Sequence, residues 1–77
     1  MAQNGTVYKT EETKCYYMQA LTYWLAALMH GMNSRIAQQE DAVLKAYEAD
    51  AKAAGVPDYE LRLLKSHAKA SVKYGHR

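Results

Sequence analysis

The segment from Cys15 to Met32 contains no charged residue and has the periodicity of an α-helix. Its large apolar residues recur every three or four positions, which places them on one helical face. This Met/Leu stripe consists of Met18, Leu21, Leu25, Leu28 and Met32. The 3-4-3-4 spacing is the a/d pattern of a helix that packs lengthwise against other helices. We therefore predict a core helix over about residues 11–30, begun by an N-cap at Thr10, with the stripe buried.

The opposite face of this helix carries small and aromatic side chains with polar tips. This Tyr/Ala face consists of Tyr16, Ala20, Tyr23 and Ala27. It either packs on the rest of one subunit or forms an exposed interaction patch. Because the remaining helices offer little apolar cover, we predict that the Tyr/Ala face is exposed and binds a second copy or another protein.

The same stretch is almost long enough to span a bilayer. Its content argues against that, since Gln19, Thr22 and His30 are polar. Tyr23 and Trp24 also lie in the middle of the segment, whereas aromatic residues of membrane helices favour the two interfaces. The sequence therefore predicts a core helix and no membrane partner.

Two further helices are predicted downstream. A second helix over about 35–54 has a narrow apolar stripe of Ile36, Val43, Tyr47 and Ala54. Gly55 and Pro57 end it, and Asp58 is the expected cap of a third helix over about 58–74. The core side of that third helix is predicted to consist of Leu61, Leu64, Ala68 and Val72.

The junction at residues 31–34 allows two architectures. Gly31 can end a helix and Asn33 or Ser34 can cap the next, which predicts an all-α domain of three helices. The first two apolar stripes are nearly in phase, so a helical hairpin with one long bent first helix is the alternative. Residues 1–9 are predicted to be a flexible arm, and residues 10–77 a single domain. A chain of 77 residues buries little surface, so we also expect oligomerisation.

No residue pattern indicates catalysis. The single cysteine, Cys15, excludes an internal disulfide and suits a reducing compartment such as the cytoplasm. The histidines His30, His67 and His76 lack the spacing of metal ligands. No phosphate loop or nucleophile motif occurs. We expect no enzyme, no metal and no cofactor.

The predicted third helix carries a basic face. Its members, at positions i, i+3, i+7 and i+11, are Arg62, Lys65, Lys69 and Lys73. From position 61 to 77 there are five Lys or Arg and no acid, while the other residues sum to −3 (five basic, eight acidic). Such a face attracts an acidic protein surface or phosphates, although it also suits a merely solvated helix.

These observations predict a small non-enzymatic helical protein that binds a macromolecular partner as an inhibitor, adaptor or regulator. A protein with an acidic surface is the first expectation. The alternative is a nucleic-acid-binding accessory protein that uses the basic face on phosphates. The small size is also common among phage and mobile-element genes, which is an expectation about origin and not about mechanism.

Overall fold

A computed structural model describes residues 10–74, which form three α-helices: α1 (Glu11–His30), α2 (Arg35–Ala53) and α3 (Asp58–Lys73). This range contains no strand, so the all-α prediction is confirmed. The helix bounds lie within one residue of the predicted ones, and the long bent first helix does not occur. The predicted arm at residues 1–9 lies outside the described residues.

Helix α1 begins with a reciprocal pair of threonine caps. Thr10 Oγ1 accepts a hydrogen bond from the Thr13 backbone N–H at 3.2 Å. Thr13 Oγ1 accepts one from the Thr10 N–H at 3.0 Å. This is a capping box in which threonine replaces the usual Glu or Gln. Glu11 and Glu12 add negative charge at the positive end of the helix.

A glycine and a serine separate α1 from α2. Gly31 has a φ of +95°, which favours glycine because it has no Cβ. Its N–H still donates to the Ala27 carbonyl at 2.9 Å, which completes the last turn of α1. Ser34 then caps α2 by accepting from the Ala37 N–H at 3.1 Å. The predicted break is therefore made by local backbone chemistry.

The turn between α2 and α3 is a Schellman motif. Val56 N–H donates to the Ala51 carbonyl and Gly55 N–H to the Lys52 carbonyl, both at 3.0 Å. Gly55 has a φ of +97°. The prediction that Asp58 caps α3 is wrong, because Pro57 is the N-cap residue and no side chain caps that helix. Asp58 is instead the first residue of α3.

The three helices form a flat arrangement with α1 in the middle. α1 packs against both α2 and α3, which barely touch one another. The Cα trace measures 34 × 30 × 17 Å, so the molecule is about half as thick as it is long or wide. A flat arrangement buries the central helix on its two flanks and leaves one broad face of it uncovered.

The Tyr/Ala face of α1 forms the core, so the prediction that it is exposed is wrong. Tyr16 is 2%, Ala20 0%, Tyr23 8% and Ala27 7% exposed. Its packing partners on the other helices are small residues and leucines: Ala37, Leu44, Ala51, Leu61, Leu64 and Ala68. Alanines let neighbouring helix backbones approach closely, and the tyrosine rings fill the remaining space. Helices α2 and α3 therefore bury the Tyr/Ala face more completely than the narrow apolar stripe of α2 predicted.

The Met/Leu stripe is on the surface, so the prediction that it is buried is also wrong. Met18, Leu25, Leu28 and Met32 are 51–60% exposed, and only Leu21 is partly buried. The predicted stripe of α2 is exposed as well, because the core side of that helix is Ala37, Leu44 and Ala51. The predicted core side of α3 is confirmed for Leu61, Leu64 and Ala68, with Val72 partly buried.

Because the Tyr/Ala face of α1 is buried and the Met/Leu stripe is exposed, substitutions on the two faces should change the free energy of unfolding by different amounts. Tyr23→Asp places a carboxylate in the core and should lower the free energy of unfolding by about 3 kcal/mol or more. Leu25→Asp lies at a half-exposed position and should cost less than about 1 kcal/mol. Urea denaturation followed by circular dichroism, in dilute protein so that association does not contribute, measures both. A larger loss for Leu25→Asp would contradict the assignment of the core.

Candidate binding surfaces

The basic face of α3 lies beside the aromatic residues of α1. Arg62, Lys69 and Lys73 are exposed, and Lys65 is half-buried. Lys65 Nζ lies 5.5 Å from the centre of the Tyr23 ring, and Lys69 Nζ lies 5.0 Å from that of Trp24. These cation–π contacts hold the stems of both lysines against α1 while their charges stay near solvent.

None of these four cations forms a salt bridge with another residue of the described range. The ion pairs found there involve Lys45 with Asp41 at 3.3 Å, and Lys52 with both Glu48 and Asp58 at 3.1 Å. The carboxylates of Asp58 and Glu48 raise the pKa of Lys52 through hydrogen bonds. The two lysines of α2 are thus paired with carboxylates, whereas the four cations of the α3 face pair with no carboxylate of residues 10–74.

Trp24 fixes α1 to α3 next to these lysines. Its indole N–H donates to the main-chain carbonyl of Lys65 at 3.2 Å. Its ring meets that of Tyr23 edge-on, with centroids 4.8 Å apart and an angle of 65° between the planes. The hydrogen bond satisfies the only polar atom of the side chain, so the remaining indole surface is apolar.

A groove between α1 and the end of α3 combines this apolar surface with positive charge. This lysine-rimmed groove has a volume of about 170 Å³ and is lined by Trp24, Ala27, Leu28, Met32, Lys69 and Lys73. Its floor suits an apolar side chain, and its two ammonium groups suit carboxylates on either side of that side chain. The lysines were predictable from their spacing on one helix, whereas the floor was not, because the relative placement of α1 and α3 is a tertiary property.

A second candidate surface lies on the α1–α2 hairpin. This hairpin apolar face consists of Met18, Leu25, Met29, Ile36, Val43 and Tyr47, each between 36% and 68% exposed. Within α1 and within α2 its members are spaced by four or seven residues, so each set shares one side of its helix. Met18 and Tyr47 line the same depression, which shows that the two sets adjoin. A contiguous exposed apolar surface of this kind is typical of an interaction site.

The side of the molecule near the start of α3 has mixed charge. A depression there is lined by Tyr16, Glu48, Lys52, Asp58, Leu61, Arg62 and Lys65. Burial, as the largest cause, and the nearby carboxylates of Glu48 and Asp41 together raise the pKa of Tyr16 to about 12 against the opposing effect of Lys52. A phenol held in its protonated form is a poor nucleophile or base at neutral pH.

The described residues offer no other chemical centre. Between residues 10 and 74, no three His, Cys, Asp or Glu side chains converge as metal ligands would. The Cys15 thiol lies 3.8 Å from the Glu11 carboxylate on the same helix and is only partly buried. None of the three helices in this range has the length and hydropathy that a bilayer span requires.

The raised pKa of Tyr16 predicts a loss of stability at high pH. The unfolded phenol ionises near pH 10 and the folded one near pH 12, so between these values the unfolded chain binds fewer protons and stability falls as pH rises. Tyr16→Phe should therefore be less destabilised than the wild type between pH 10 and 12 in urea titrations. Tyr59→Phe, at a position that is 61% exposed on α3 and outside both candidate surfaces, is the matched control and should follow the wild type. Equal pH dependence of both variants would contradict the assignment.

The sequence matches no family model, and no curated protein or solved structure is significantly similar to it. The candidate surfaces therefore rest on the geometry and charges of the chain itself.

Proposed function

We propose that this chain is a non-enzymatic binding protein that occupies the surface of a protein partner through the lysine-rimmed groove. The partner segment is acidic and carries an apolar side chain as an anchor. By covering that segment the chain acts as an inhibitor, adaptor or regulator. A cytoplasmic location belongs to the same proposal and is supported by the single cysteine and its free thiol.

The observation that carries the proposal is the pairing of an apolar floor with an unmatched cationic rim. Trp24, Leu28 and Met32 supply the type of buried anchor site that dominates binding energy at protein interfaces. Lys69 and Lys73 add attraction for carboxylates, which favours acidic partners and speeds their association. An anchor flanked by acids satisfies both parts at once.

The groove lining supports binding in preference to catalysis. It contains no carboxylate, imidazole, thiol or hydroxyl side chain. General acid–base catalysis and covalent catalysis usually recruit such groups, with a partner within hydrogen-bond reach. The two lysines at the rim belong to a solvent-exposed surface, where they serve as point charges.

The second candidate function is nucleic-acid binding by the basic face. Its support is that Arg62, Lys65, Lys69 and Lys73 form no salt bridge with other described residues, which leaves them free for phosphates. The start of α3 weakens this reading. Arg62 and Lys65 border a depression that also contains Glu48 and Asp58, and these carboxylates repel a phosphate backbone. Only the Lys69–Lys73 end is free of nearby acids in the groove lining.

Self-association is also part of the proposal, with a different surface from the one predicted. The Tyr/Ala face is buried within the subunit and is not available. The hairpin apolar face is exposed and takes its place as the surface that supports an oligomer.

The groove can be tested with a short amphipathic peptide that has one leucine or phenylalanine flanked by glutamates. Trp24 is the only tryptophan of the chain and lines the groove, so its fluorescence reports occupancy directly. We expect a saturable change in emission with the peptide. A peptide with alanine at the anchor, or lysines in place of the glutamates, should bind at least about tenfold more weakly.

A charge variant and a matched control complete this test. Replacing Lys69 and Lys73 together by Ala should weaken peptide binding at least about tenfold, since both charges that attract the acids are lost. Lys45→Ala, an exposed lysine of α2 outside the groove, should leave binding unchanged. Duplex DNA serves as the competing probe. Tight DNA binding that falls steeply between about 50 and 200 mM salt, with no peptide binding, would overturn the proposal in favour of the second function.

A further inference from the structure

We infer that a second copy of this chain covers the hairpin apolar face, with the two α1 helices packed antiparallel along the Met/Leu stripe. The inference builds on the self-association proposed above and specifies its surface and geometry. It does not depend on what the lysine-rimmed groove binds.

The Met/Leu stripe has the pattern of a coiled-coil seam. Its 3-4-3-4 spacing is that of a helix whose a and d side chains insert between those of a facing helix. Within residues 10–74, α2 and α3 pack mainly on the other side of α1. Leu21 is partly buried against the core and Leu28 borders α3 at the groove, whereas Met18 and Leu25 are more than half exposed. A second copy supplies a seam of the same spacing and the same mixture of Met and Leu.

The Met/Leu stripe lies in a stretch of the chain that carries no charged residue. From position 15 to 32 the chain has no Asp, Glu, Lys or Arg, although much of that stretch is exposed. A face built to meet an acidic or basic partner would carry complementary charges, as the basic face of α3 does. An uncharged, self-complementary face is what a two-fold symmetric interface requires.

The available area is sufficient for a stable dimer. The hairpin apolar face together with Leu28 and Met32 comprises eight large apolar side chains that are 36–68% exposed. At about 100 Å² of accessible surface each, they provide roughly 800 Å² per copy, the size of a standard stable interface. The flat shape of the subunit, 17 Å thick, presents this area without an obstructing helix above α1.

The ends of the stripe select the antiparallel orientation. Continued toward the N-terminus, the a and d positions are occupied by Glu11 and Lys14. In a parallel pair each of these would face its own copy, and like charges would meet at the seam. In an antiparallel pair with the two-fold axis between Leu21 and Leu25, Met18 lies opposite Leu28 of the other copy, and the charged positions extend beyond the end of its α1. Antiparallel helix dipoles also attract one another.

The groove and the dimer seam adjoin along α1. Leu28 and Met32 belong to both surfaces, whereas Leu25 and Met18 belong only to the seam, and Trp24, Lys69 and Lys73 only to the groove. The dimer therefore covers Leu28 and Met32 of the groove floor and leaves the cationic rim at its edge, so dimerisation and occupation of the groove compete. Substitutions at Leu25 or Met18 test the seam without altering the groove.

Sedimentation equilibrium of the wild-type chain measures the first consequence. At about 50 μM we expect a particle of twice the chain mass, since an interface of standard size commonly gives micromolar or tighter affinity. Leu25→Asp should weaken dimerisation by about 100-fold or more, because two carboxylates would be buried near the axis. Val43→Asp, on the α2 part of the face, should weaken it by about tenfold or more.

Leu63→Asp is the matched control. Leu63 is an exposed leucine of α3, 64% accessible, and lies outside the hairpin apolar face. This variant should dimerise as the wild type does, with all helical contents checked by circular dichroism. A monomeric wild type would overturn both the inference and the proposed self-association. Loss of the dimer in Leu63→Asp, with Leu25→Asp and Val43→Asp still dimeric, would overturn the inference alone.

Cross-linking tests the orientation. In a Cys15→Ser background, chains with Met18→Cys and chains with Leu28→Cys are mixed, allowed to exchange and oxidised. The antiparallel dimer should give chiefly the disulfide between unlike chains, because position 18 faces position 28 of the other copy. Predominant disulfides between like chains, at both positions, would overturn the antiparallel arrangement.

Discussion

The close packing of one central helix against two neighbours determines the rest of this structure. Alanines on all three helices bring the backbones together, and the rings of Tyr16 and Tyr23 occupy the space between them. Leucines or methionines at the alanine positions would hold the helices further apart. Because the tight contacts lie on the Tyr/Ala face, the larger Met/Leu side chains of α1 remain outside.

This arrangement also creates the groove. With α3 held near α1, the Trp24 indole reaches the Lys65 carbonyl, and Lys69 comes to lie over the indole ring. The lysines of α3 are thereby placed along an aromatic surface and are oriented by it. A solvated basic helix alone would attract many anions weakly. A cationic rim around an apolar floor discriminates among them, because only an acidic ligand with an apolar part uses both.

The sequence allowed the helix bounds to be predicted closely, because the caps act locally. Thr10, Ser34, Gly31 and Gly55 satisfy or terminate backbone hydrogen bonds within a few residues of themselves. The basic face was predictable for the same reason, since spacing along one helix determines it. The groove was not, because its floor and rim come from α1 and α3, whose crossing depends on which faces pack together.

The core face of α1 is the Tyr/Ala face and not the predicted Met/Leu stripe, for a physical reason. A 3-4-3-4 stripe shows that a helix face is suited to packing against another helix, and it carries no information on whether that helix belongs to the same chain. Side-chain size does not identify the core here either, because the buried residues of α1 and α2 include many alanines. In a small flat domain the reverse assignment is stable: small residues and tyrosines form the tight intramolecular contacts, and the long apolar side chains are left for an intermolecular seam. The exposed stripe of α2 follows the same logic, because Ala37 and Ala51 pack inside while Ile36 and Val43 lie outside. Both helices of the hairpin thus place their strongest apolar pattern on the side that no helix of residues 10–74 covers.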